Sequence, residues 1–216
     1  MTLILASHVG KSFCITTGDT LTAFREYEFN IDGSFYRQSE EIVEVTKDAQ
    51  KATLISDYVL WGAAGSSDII GHIKKELMRL TDPEDSLLTV TLTLDSIIKE
   101  MRVANEKKRE SNVTLPCYYQ FLDTDDEFVI LLNGFEYNGK SGFSWYISGH
   151  DKEGLKKILN QFIKVHTLLS FYEPNRVSEI CEYKVLKWRS KKEKPKLIEE
   201  SIDVSKYYDE LGLTKH

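Results

Sequence analysis

Apolar residues follow two rhythms along this chain. Thr2–Ser7 and Phe13–Thr17 are short runs, apolar at most positions and parted by Val9-Gly10-Lys11-Ser12. Runs of that length around a glycine-containing turn predict a hairpin with both strands largely buried. Then FREYEFNIDGSFYRQSEEIVEV alternates aromatic or aliphatic with charged residues on both sides of Asp32-Gly33. Asp-Gly accepts the positive φ angles of a tight turn, so a second, more exposed ribbon is expected over about 24–45. Two further strands follow, one ending near Ile55 and one over Tyr58–Ala64, with a turn at Ser56-Asp57.

After Gly65 the spacing changes to three and four. Ser66 or Ser67 can cap a helix, and Ile69, Ile70, Ile73, Leu77 and Leu80 form its core-facing stripe until Asp82-Pro83 breaks it. Leu87, Val90, Leu94, Ile97, Ile98 and Met101 predict a second helix over roughly 87–107. Its Thr-rich start leaves the first turn open, because β-branched residues suit strands better. Strands return in CYYQFLD, EFVILLNGFEYN and GFSWYISG, with Asn138-Gly139 as a turn. A third helix is expected over about 152–169, with Leu155, Ile158, Leu159, Phe162 and Leu169, and a fourth opening at Pro174-Asn175. KWRSKKEKPK reads as a solvated helix end and loop, and LIEESIDVSKYY as a final strand.

The block order is strands, two helices, strands, two helices. It predicts an α+β fold, a four-layer αββα sandwich of two antiparallel sheets flanked by helices. No repeat, low-complexity tract or linker interrupts it, so one domain over 1–216 is expected, with the ribbon as an insertion.

Composition narrows the class further. The chain has 216 residues, 41% hydrophobic and 29% charged, the profile of an ordinary soluble protein with a sizeable core. A net charge of −6 argues against a general nucleic-acid or anionic-membrane partner. No apolar run is long enough to span a bilayer. The start lacks a basic n-region, and His8, Gly10 and Lys11 interrupt its apolar stretch, so a cytoplasmic protein is expected. Cys14, Cys117 and Cys181 are scattered without metal or redox spacing; reduced thiols, no metal and no cofactor are the expectation. Asn112-Val113-Thr114 matches a glycosylation sequon, which has no meaning without a secretory signal.

One arrangement carries chemistry. Met1-Thr2 leads into a strand, a short turn and a second strand ending in Gly18-Asp19-Thr20. Gln50-Lys51 follows, then two short strands ending in Ala64-Gly65, then a helix beginning near Asp68. This order resembles the proteasome-type N-terminal nucleophile hydrolases, and HslV-like members most. The likeness covers residues up to about 80 and extends loosely over Phe128–Gly149, where Ser148-Gly149-His150 matches the family's Ser-Gly-Ser only weakly, and it departs from the family elsewhere too. The spacing from Asp19 to Lys51 is about twice the family's, and the later aspartate and Ser-Gly-Gly supports are missing from KKEKPKLIEESIDV. A rival register places Glu41 of SEEIVEV where the lysine belongs.

The resemblance implies roles that the chemistry supports. Removal of Met1 exposes Thr2, whose α-amine, with an ordinary pKa near 8, can act as base for its own hydroxyl. The Lys51 ammonium disfavours protonation of that amine and stabilises the nucleophilic oxygen, with Asp19 orienting it. The Gly65 N–H is the implied oxyanion donor. Ala49 and Ala63 would line a roomy apolar pocket for the residue before the scissile bond. A threonine peptidase is the leading expectation, assembled as a homo-oligomeric ring, acting on peptide or protein substrates and served by an ATP-dependent unfoldase. A non-catalytic ring or assembly protein of the same fold is the alternative from another class. A small-molecule amidohydrolase with the same nucleophile is a third.

Overall fold

The structure is a computed structural model and describes residues 4–19, 22–29, 35–46, 49–65, 67–110, 128–148, 168–171, 180–190 and 192–203. It is a mixed α+β fold whose sheets are antiparallel. Strands β1 (Ile4–Val9) and β2 (Phe13–Asp19) form the first hairpin. The ribbon follows as β3 (Thr22–Phe29) and β4 (Phe35–Thr46), a two-stranded sheet of its own with three register shifts. Next come β5 (Ala52–Ser56), β6 (Val59–Gly65) and helices α1 (Ser67–Leu80) and α2 (Leu87–Glu110). The last strands are β7 (Phe128–Phe135), β8 (Ser141–Ser148), β9 (Leu168–Phe171), β10 (Ile180–Lys187) and β11 (Lys196–Asp203).

Two larger sheets result, in the orders β11-β10-β2-β1-β9 and β5-β6-β7-β8. They pack face to face through β1 and β2 on one side and β6 and β7 on the other. Strand alternation sorts the core. Phe128, Ile130 and Leu132 of β7 face the helices with Trp61, Ile73, Leu77 and Leu94, while Val129 and Leu131 face Ile4 and Ala6 of the other sheet. All eight residues of β7 are buried, which is why its sequence reads as one continuous apolar run. Asn133 and Thr16 are polar residues buried between the sheets, 3.3 Å apart. Asn133 donates its amide to the carbonyls of Ser7 at 3.0 Å and Ile15 at 2.8 Å, tying β7 to both strands of the first hairpin.

The helices follow the predicted stripes with one exception. Ile69, Ile73 and Leu77 are buried, but Leu80 is 48% exposed. It lies on the wall of an open groove between α1 and α2, with His72, Ile97 and Met101, rather than over the sheet. The Thr-rich start of α2 is helical, with the Thr91 and Thr93 hydroxyls turned back onto the carbonyls of Leu87 and Thr89, at 2.7 and 3.1 Å. Its first turn contains no acidic residue; Glu136, from the turn after β7, accepts from the Leu88 N–H at 3.0 Å instead.

Two expectations are corrected. The third helix cannot reach Leu169, since Leu168–Phe171 pairs with β1 as a strand. KWRSKKEKPK is not a helix end; it joins β10 to β11, because Leu186 and Trp188 turn inward to the core around Phe135. The rest of that third helix, the fourth helix and the strand CYYQFLD fall outside the described residues.

Candidate active site

Four chain segments meet at one end of the two packed sheets. β1 begins there with Ile4, paired to Gly18 near the end of β2. β5 begins there as well: a Cβ on Gly18 would stand 2.9 Å from the Lys51 Cβ and 3.5 Å from the Ala52 nitrogen. Only glycine allows so close an approach of β2 to Lys51. β6 reaches the same end with Gly62 opposite Ala52. A Cβ on Gly62 would meet the Ile4 Cγ2 at 2.8 Å and the Thr16 Cγ2 at 3.1 Å. Two missing side chains thus draw β5 and β6 onto β1 and β2.

The expected site residues distribute around this meeting point. Thr2 lies outside the described residues, two positions before Ile4 in sequence. Asp19 is the last residue of β2, opposite Cys181; its side chain is outside the description. Lys51 is half-buried against Gly18 and is not a free cation. Of the two lysine registers, this is the one that reaches the end of β2, whereas Glu41 sits in β4, which pairs with β3 in the separate ribbon. Gly65 is exposed at the end of β6 with a φ of 114°, a conformation that a side chain would strain. Ala49 is half-buried two residues before Lys51. Ala63 is 5% exposed and packs into the helix-side core, on the opposite face of β6 from Ala64.

Two lysines that sequence reasoning passed over add charge beside β5. Lys184 of β10 is 5% exposed and pairs with Glu199 of β11 at 2.6 Å. Lys74 of α1 donates to the Thr53 hydroxyl at 2.6 Å. Burial, and secondly the positive charge of Lys184, lower the Lys74 pKa below its ordinary value. At the flank of β5 the protonated form of Lys74 is therefore disfavoured, while the Lys184 charge is met by Glu199. No sequence signal marks Lys184, because a lysine in an alternating strand reads as outward-facing.

Two other chemistry-bearing groups are inert by geometry. His8 Nδ1 lies 2.9 Å from the Ser141 hydroxyl, as in a nucleophile–base pair. Ser141 donates its one hydrogen to the Gly10 carbonyl, so His8 must donate to Ser141 and cannot be its base. Cys14 is fully buried, donates to the Gly134 carbonyl, and burial raises its pKa well above the ordinary thiol value. Among the described residues no cluster of three or more histidines, cysteines or carboxylates could hold a metal ion. Nor is any helix among them long and apolar enough to cross a membrane.

No protein-family model matches the chain, and a search of curated proteins finds no match either.

Proposed function

We propose that this chain is a proteasome-type N-terminal nucleophile hydrolase acting as a threonine peptidase in a homo-oligomeric ring. The observation that carries the reading is the packing of Gly18 on Lys51 beside the first residue of β1. It supports a lysine beside the start of β1, the strand that Thr2 precedes in sequence. The four-layer αββα arrangement belongs to the same reading. The two helices expected from about residue 152 and from Pro174-Asn175, which would make its second helical layer, fall outside the described residues but for Leu168 and Leu169, which lie in β9.

With Met1 removed, the Thr2 α-amine takes the hydroxyl proton as Oγ attacks the substrate carbonyl carbon. The oxygen of that carbonyl becomes the oxyanion and is met by the Gly65 N–H. The ammonium returns the proton to the leaving amine as the C–N bond breaks, giving an ester on Thr2. Water, deprotonated by the same amine, then attacks the ester and releases the acid. Lys51 keeps the amine neutral, and an ATP-driven unfoldase delivers the substrate protein to the ring.

Intact mass followed by epoxyketone labelling tests this. Loss of Met1 and a single adduct on Thr2 are expected. The adduct disappears in Thr2→Ala, and its rate falls about 100-fold in Lys51→Ala. Full retention of Met1 would sink the mechanism. A second reading, a non-catalytic assembly subunit, is favoured by the absent serine and aspartate supports and predicts that the chain takes no adduct even where Met1 is absent.

A further inference from the structure

The stretch from Lys187 to Lys196 carries six of the chain's 28 lysines and arginines but one of its 34 carboxylates. The remaining residues hold 22 cations against 33 carboxylates. The fold places this stretch at the tip of the β10–β11 hairpin, with Lys187 directly opposite Lys196 and both exposed. Like charges facing each other oppose strand pairing. Other contacts hold the tip in place. The Trp188 N–H donates to the Ser12 carbonyl at 2.9 Å, and its ring lies against Gly139. Pro195 is buried, and Lys194 pairs with Asp57 at 2.7 Å and Glu84 at 3.2 Å. Lys187, Arg189, Lys192 and Lys196 have no ion-pair partner among the described residues. Among the described residues of this acidic chain, the hairpin tip thus holds four exposed cations without ion-pair partners.

We propose that this tip docks the acidic run Asp123-Thr124-Asp125-Asp126-Glu127 of a second copy of the chain. The run has four carboxylates in five residues and is joined to Phe128, the first residue of β7. Phe128 pairs with Gly65 at the candidate-site end, and β7 then runs toward Gly134, opposite Val59, at the end where Trp188 packs. Seven steps of about 3.4 Å separate the two ends of that strand by about 24 Å. A Debye length of about 8 Å screens the run's anchor from the tip of its own copy. A neighbouring copy set end to end brings the two together. The contact is heterologous, tip to run, so it propagates into a ring or a filament. It stands on charge and placement, and holds whether or not Thr2 is a nucleophile.

Sedimentation of the full chain at about 50 mM and about 500 mM salt reads the assembly directly. Self-association that weakens with salt is expected. K187E/R189E/K196E and D123K/D125K/D126K each weaken it about tenfold, and an equimolar mixture of the two restores it. Lys196→Glu alone sets opposite charges across the hairpin, so it keeps the fold, and weakens association roughly threefold. A monomer at low salt, an assembly unmoved by tip reversal, or a mixture that fails to reassociate overturns the proposal. So does tip-dependent binding of an oligothymidylate strand by a chain that does not self-associate, which would make the tip a nucleic-acid site.

Discussion

The two ends of the packed sheets are built from opposite materials. At the candidate-site end, contacts form through missing side chains: Gly18 on Lys51, Gly62 on Ile4 and Thr16. At the other end, aromatic rings fill the space. Trp188 lies 5.4 Å from Phe135 and 6.3 Å from Tyr58 between ring centroids, and Tyr58 meets Tyr137 edge-on at 5.6 Å. Gly139, at a φ of 81°, makes room for Trp188; a Cβ there would stand 2.6 Å from its ring. Gly134 does the same for the Tyr58 carbonyl, which a side chain would strike. Rings bury area and hold the turns together. Small residues bring backbones close. The two ends are thus packed differently, by rings at one and by close backbone approach at the other.

Truncating Trp188 is the strongest way to break that contrast. Trp188→Ala removes the ring shared by Phe135, Tyr58 and Gly139 and frees the base of the cationic hairpin. A loss of about 3 kcal/mol is expected, lowering the melting temperature by roughly 6–12 °C. Well below that temperature, labelling of Thr2 should proceed at the wild-type rate. A collapse of labelling in a folded Trp188→Ala chain would mean that the two ends are coupled.

Gly18→Ala is the converse and somewhat smaller test. The added methyl meets the Lys51 Cβ at 2.9 Å and must push β5 outward. Overpacking of this kind costs about 1–2 kcal/mol, while misplacing the lysine slows Thr2 labelling about 100-fold. Calorimetry and labelling on one preparation separate the two effects. Labelling at the wild-type rate would remove Lys51 from the site.

The same contrast explains what the sequence made readable. The apolar face of α2, from Leu87 to Met101, is buried throughout, because helical spacing alone decides which side of an amphipathic helix meets a sheet. The first hairpin, the β5–β6 pair and the Asn138-Gly139 turn follow from local pattern in the same way. The order of Gly18, Lys51 and Gly65 was legible as well, since each sits at a strand end. Partners distant in the chain were not. Glu136 accepts from the start of α2 across 48 positions of sequence, and no local pattern announces it. Lys184 is buried against strand alternation's usual rule because Glu199, on the next strand, satisfies it. KWRSKKEKPK hid a hairpin because six cations outweigh one inward tryptophan in any reading by composition.

The mildest effect sharpens the comparison through pH. His8 joins the sheets near the aromatic end, edge-on to Phe143 at 4.7 Å and bonded to Ser141. Burial lowers its pKa below 6.5, and no carboxylate among the described residues pairs with it to oppose that shift. A depressed pKa means that the unfolded chain binds the proton more readily than the folded one. The stability linked to His8 is therefore complete above about pH 6.5 and is lost as pH falls through the folded value. Between pH 7.5 and 5.5, urea midpoints should fall more steeply for the wild type than for His8→Gln, which can still donate to Ser141. Thr2 labelling should show no matching difference between the two proteins at any pH where both are folded. Parallel midpoint curves would mean that the proton enters His8 as easily in the folded chain as in water. The aromatic end would then hold the sheets together without sensing pH.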